Sequence, residues 1–171
     1  MKRYVKYDSD TELDDLDEIM CMSNVRGKKV VHPSKLPFSF YYSTKSQKQH
    51  SIRVKPIFND NRMSADLAGT LKLCDDWSYV PGKENRRISH SEIRIMKQFF
   101  QSNIVLFCLV WDMQVNEPLL ADYLQGEISL HEFIEDLDFY REYKQELDNI
   151  NTVKELENFC RKNKLVNFYG N

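Results

Sequence analysis

Four cysteines, Cys21, Cys74, Cys108 and Cys160, are scattered along this chain, and no two of them form a Cys-x-x-Cys pair. Structural zinc sites draw at least two ligands from such short spacings, so a zinc-stapled fold is not expected. Isolated cysteines of this kind read as reduced, mostly buried thiols of a cytoplasmic protein. Glycine and proline are also scarce, at 5 residues each. They build no Gly-x-x-x-x-Gly-Lys-Ser/Thr phosphate loop, no Gly-x-Gly-x-x-Gly dinucleotide turn and no Gly-x-Ser-x-Gly nucleophile elbow. No Glu-x-x-His motif accompanies the carboxylates of the last third, as a helical di-metal centre would require. On these grounds neither a cofactor nor a metal is expected, and no catalytic constellation can be assembled.

Long hydrophobic runs are missing as well. The longest is "IVLFCLVW", residues 104–111, far short of the ~20 residues that cross a hydrocarbon core. Residues 1–8, "MKRYVKYD", contain no apolar stretch of the kind a secretory leader needs. The expectation is a cytoplasmic protein with no membrane partner.

What is present is an ordinary globular composition, 42% hydrophobic and 29% charged over 171 residues. That is enough for a single domain with its own core. Net charge is −2, but the charges are segregated. Residues 1–18 carry seven acids and three bases; residues 26–62 carry nine bases and a single acid, Asp60; residues 101–171 carry thirteen acids and six bases. Such segregation can steer a charged partner.

Periodicity divides the domain into an acidic N-terminal helix region (1–26), a β-rich part (28–80) and a helical part (89–163). In the first, "ELDDLDEIMCMSNV" puts Leu13, Leu16, Ile19 and Met20 on one helical face. In the second, "FSFYYST" alternates: Phe38, Phe40 and Tyr42 share one face, and Ser39, Tyr41 and Ser43 the other. "HSIRVKPIF" alternates again, with Ile52 and Val54 opposed to Ser51, Arg53 and Lys55, and Pro56 marks an edge or bulge. "TLKLC" is a further candidate strand. In the third part, Ser89/Glu92, Ser129/Glu132 and Thr152/Glu155 have capping-box spacing. The apolar stripe after Ser89 predicts one long buried helix over 91–114, and "LHEFIEDLDFYREYKQEL" predicts another. The tail "LVNFYGN" is apolar enough to dock. The fold class is therefore α+β: a small antiparallel sheet of about 3–5 strands, then a long buried helix and a helical C-terminal half.

The stretch from Phe38 to Ile57 also carries the candidate site. Tyr41 faces Arg53 and Lys55 across the predicted hairpin, and bases beside an aromatic ring can neutralise phosphates and stack nucleobases. The same pattern describes an amphipathic hairpin whose charged face is merely solvated. Lys83, Arg86 and Arg87 precede a helix N-terminus, a place where anions bind well. His50, at the start of the basic strand, is the candidate acid/base, with His32 at the end of the preceding strand as a potential partner.

The run "FSFYYSTKSQKQHSIRV", then "GTLKL", then a helix reaching Trp111 resembles a family of small uncharacterised bacterial proteins. Members often accompany toxin–antitoxin-type gene pairs. The likeness spans residues 38–114. Where that family carries Pro-His-x-His, this chain has His50-Ser51-Ile52-Arg53, so Arg53 replaces the second histidine and no histidine site carries over. The resemblance implies an accessory protein of a mobile element.

Two functions follow as expectations. The first is a non-catalytic cytosolic accessory or regulatory protein that binds a macromolecule through Tyr41, Arg53, Lys55, Lys83, Arg86 and Arg87. The second is a small nucleic-acid-binding or nucleolytic protein using the same face, with His50 as its acid/base. A small-molecule enzyme with a pocket between sheet and helix has no residue set to support it.

Overall fold

A computed structural model describes residues 22–25, 38–43, 51–57, 68–74, 76–83 and 88–168. Five strands form an antiparallel meander: β1 (Met22–Val25), β2 (Ser39–Ser43), β3 (Arg53–Ile57), β4 (Thr70–Lys72) and β5 (Tyr79–Val80). The period-two pattern sets the faces as expected. Phe38, Phe40, Tyr42, Ile52, Val54, Leu71 and Leu73 are all buried and form the sheet's half of the core. β4 pairs with β3 only at Arg53 and Val54. Pro56, which has no N–H to give, thus lies beyond that ladder.

One expectation fails in this half. The amphipathic helix read through residue 25 gives way to strand at Met22, because Asn24 and Val25 pair with Tyr41 and Phe40. Ladder hydrogen bonds from a neighbouring strand override a short run's helical periodicity. The rest of that helix reading, and the "KKVVH" strand, lie outside the described residues. β5 had no sequence signal, since two residues have no measurable periodicity.

The helical half begins at α1 (His90–Ser102), capped as its spacing predicts. Ser89 Oγ accepts from Glu92 N at 3.2 Å, and Glu92 Oε2 accepts from Ser89 N at 2.9 Å. The predicted single helix over 91–114 is in fact two. α1 ends at Ser102, α2 (Ile104–Trp111) follows, and the axis bends by 64° between them. Asn103 causes the break. Its side-chain Nδ2 donates to the Phe99 carbonyl at 2.9 Å, the acceptor that its own backbone N–H would use in a continuing helix. The backbone N–H turns instead to Phe100 O at 3.3 Å. A side-chain amide that replaces a ladder bond releases the main chain to turn. Periodicity is blind to this, because the apolar stripe continues across the bend.

All eight residues of α2 are buried. It packs against α3 (Glu117–Leu124) and α6 (Val153–Asn163), while α3 also packs against β1 and α4 (Leu130–Glu135). Tyr42 donates to the Glu117 carbonyl at 2.6 Å, tying β2 to the start of α3. Pro118 sits in the first turn of α3, and Gly126 takes the positive φ of 75° just after it.

The second long helix predicted from Leu130 is also divided, into α4 and the short α5 (Lys144–Leu147). Leu137 and Phe139 are both buried. Residues two apart in a helix point to nearly opposite sides, so a continuous helix could not bury both against one core. The chain instead turns, and Asp138 N donates to Gln114 O at 2.8 Å. The C-terminal tail docks as expected, with Val166 and Phe168 buried, but as irregular chain rather than as a strand. Asn167 N donates to Asp112 Oδ2 at 2.9 Å, and the Arg161 guanidinium lies 3.8 Å from the Phe168 ring centroid.

On α6, Glu157 is a buried carboxylate held between Arg161 Nε at 2.8 Å and Lys154 Nζ at 3.1 Å. Burial pushes its pKa up, but hydrogen bonds and charge from Arg161 and Lys154 outweigh it and leave the carboxyl below its usual range. A depressed folded-state pKa contributes stability above the unfolded value of ~4.3 and loses it as pH falls through the folded value. Glu157→Gln is therefore expected to cost about 1 kcal/mol near neutrality, a modest figure because Lys154 and Arg161 are themselves open to water. The gap should narrow as pH falls below the unfolded value and through the lower folded one. Urea midpoints of both proteins, measured from pH 7 to pH 3, check the sign and the window.

Candidate macromolecule interface

The outer face of the sheet is the surface that the sequence alternation singled out, and strand register orders it. Tyr41 on β2 stands directly opposite Lys55 on β3. Arg53, two residues earlier on the same face of β3, stands opposite Lys72 on β4. Three cations and an aromatic ring thus occupy two adjacent rungs. Opposed side chains on neighbouring strands sit with Cβ atoms about 4.5–5.5 Å apart. Arg53 and Lys72 form such a pair. Lys72 was not among the residues singled out from sequence. The signal was there, in the alternation of "TLKL", but only the β3–β4 register reveals that it joins this row.

Exposure along the row is uneven. Lys72 is exposed, while Arg53 and Tyr41 are half-buried. Lys55 is only 7% exposed, which corrects its expected role as an open cation. Alternation does put it on the outer face. Accessibility, however, depends on what lies over that face, and local periodicity contains no such information. Lys72 also acts on its own turn. The Asp76 carboxyl is held low first by hydrogen bonds from the Ser78 hydroxyl and backbone, with the Lys72 charge a smaller contributor.

The second basic cluster fares differently. Lys83 is exposed between β5 and α1, and Arg86 and Arg87 lie outside the described residues. The N-terminus of α1 holds its own ligand, since the Glu92 carboxylate accepts from Ser89 N–H. An incoming anion would have to compete with that box. His50, the candidate acid/base, and its potential partner His32 are outside the described residues. The described histidines sit on helix surfaces: His90 is exposed, and His131 Nε2 is 3.3 Å from Glu135 Oε1 at an exposed i,i+4 spacing. Among the described residues, no group of three or more His, Cys, Asp or Glu side chains could hold a metal ion.

One arrangement escaped sequence reasoning entirely. Cys74 Sγ and Cys108 Sγ approach to 3.8 Å although the residues are 34 positions apart. No spacing rule could have paired them, because the contact joins the segment after β4 to α2, far away in the chain.

Among the described residues, no single helix is long and apolar enough to cross a membrane. Comparison with protein-family models, curated proteins and solved structures yields no match.

Proposed function

We propose that this chain is a non-catalytic cytoplasmic accessory protein that binds an acidic protein partner through the outer face of its sheet. The observation carrying the reading is the register that sets Arg53 against Lys72, one rung from Tyr41 and Lys55. Cations gathered on one sheet face complement an acidic surface and steer its approach. Net charge of −2 and a patch whose accessible cations are Arg53 and Lys72, with Lys55 enclosed, favour a protein over nucleic acid. Tight nucleic-acid binding typically engages more phosphates than such a patch can reach. The resemblance of residues 38–114 to small uncharacterised bacterial proteins found beside toxin–antitoxin-type gene pairs is compatible with an accessory role.

The experiment is affinity capture from the source cell with nuclease treatment, comparing the wild type with Arg53→Glu/Lys72→Glu. Capture of an acidic protein should survive nuclease and weaken at least ~10-fold in the double variant, whose side chains lie on the outer face. Capture that is unchanged by charge reversal refutes the placement.

A second reading is favoured by Tyr41, whose ring lies beside cations as in single-strand stacking platforms. In that reading the face binds RNA or DNA, with His50 as the acid/base of a nucleolytic step. It requires binding that weakens steeply with salt. Absence of retention of single-stranded RNA and DNA on filters at low salt removes it.

A further inference from the structure

The geometry points to an oxidisable dithiol at Cys74 and Cys108: a site where hydrogen peroxide converts two thiols into a disulfide that fastens the segment just after β4 to α2. The two sulfurs are 3.8 Å apart and hydrogen-bonded, with either able to donate, and neither cysteine is in a disulfide. A bond of about 2.05 Å needs an approach of under two ångströms, within reach of small side-chain rotations.

The two members differ in the way such a reaction requires. Cys74 is half-buried and so reachable by a small oxidant, whereas Cys108 is fully enclosed in α2. Cys74 also holds a positive φ of 72° immediately after Leu73, a conformation that side-chain-bearing residues rarely adopt. This turn directs the chain out of β4 beside α2, and strained backbone of this kind clusters at functional sites. Cys108 remains a thiol, its pKa pushed far up by the Cys74 hydrogen bond and then by burial. Cys160, the other described cysteine, is buried on α6 and has its thiol pushed up to about 12 by burial. It serves as an internal control.

The steps balance. The Cys74 thiolate attacks peroxide, forming a sulfenic acid and releasing hydroxide, which takes up the thiol's proton to become water. Cys108 sulfur then displaces the sulfenic hydroxyl, and the Cys108 proton leaves with it as a second water. Two thiols lose two hydrogens and two electrons, and one peroxide is reduced to two waters. A thiol such as glutathione reverses the bond by exchange.

The test treats the purified full-length protein with hydrogen peroxide and maps its peptides without reduction. The expected product is a monomer with two fewer thiols and a linked Cys74–Cys108 peptide, restored by dithiothreitol. Its thermal midpoint should rise by roughly 10 °C, because the link closes a long loop in the unfolded chain. Cys74→Ser, at a half-exposed position, should abolish both the linked peptide and the shift while leaving Cys108 unreacted. Cys108→Ala should leave Cys74 as a sulfenic acid that dimedone traps. The proposal is overturned if Cys74 proceeds to a sulfinic acid, or links to another cysteine, while Cys108 stays a thiol. It is overturned equally if neither thiol reacts.

Discussion

Phe100→Ala is expected to lower the free energy of unfolding by about 3–5 kcal/mol, the usual cost of deleting a buried phenylalanine ring. Phe100 is fully buried at the end of α1 and meets rings from both layers of the fold. Its centroid is 4.9 Å from Phe40 and 5.9 Å from Phe38 on the sheet, 5.2 Å from Phe99 on its own helix and 5.3 Å from Phe107 on α2. Several of these contacts are edge-to-face, the geometry in which the positive rim of one ring meets the negative face of another. Removing the central ring leaves a void bounded by side chains from three elements, and no one of them can shift to fill it. Typical domains are stable by ~5–15 kcal/mol, so the loss is a large share of the total. Urea denaturation should show a lower midpoint with an unchanged slope. Phe100→Leu, which keeps much of the volume, should lose clearly less. Exposed Ile95→Ala, on the same helix, should stay within ~0.5 kcal/mol of wild type.

Gly69→Ala is expected to be the next most damaging change, at about 1–3 kcal/mol, although it adds only a methyl group. A Cβ at Gly69 would collide with the Tyr79 hydroxyl and stand 2.6 Å from its Cζ and 2.8 Å from its Cε2. Tyr79 is held in place by pairing of β5 with β4 at Leu71. Accommodating the methyl therefore means displacing that ring. The physical test is a double-mutant cycle. Tyr79→Ala removes the obstructing ring, so Gly69→Ala should cost much less in that background than in the wild type. Equal costs in the two backgrounds would locate the damage in Gly69's backbone rather than in the collision.

How far the chain could be read in advance depended on whether the deciding interaction was local. Capping boxes at Ser89, Ser129 and Thr152 were legible because donor and acceptor lie three residues apart. The two faces of β2 and β3 were legible because side chains alternate strictly along a strand. Helix length was not. Asn103 reads as one polar residue in an apolar run, and its effect on the ladder depends on where its amide points. The division after Glu135 escaped notice for a related reason, since it is enforced by a core that must bury Leu137 and Phe139 together. In the candidate interface, the Tyr41–Lys55 opposition followed from the hairpin, whereas the Arg53–Lys72 pair required the β3–β4 register. The enclosure of Lys55 required knowing the whole of its surroundings.

By itself the amino-acid order determined the α+β class, the inward faces of β2 and β3, the starts of three helices and the segregation of charge. All of these arise from neighbours within about one turn or one rung, where covalent geometry dictates who meets whom. Tertiary packing alone decided the bend at Asn103, the exposure of each cation on the outer sheet face, and the meeting of Cys74 with Cys108. Those depend on segments far apart in the chain, and their proximity is set by how the core closes rather than by any spacing along the backbone.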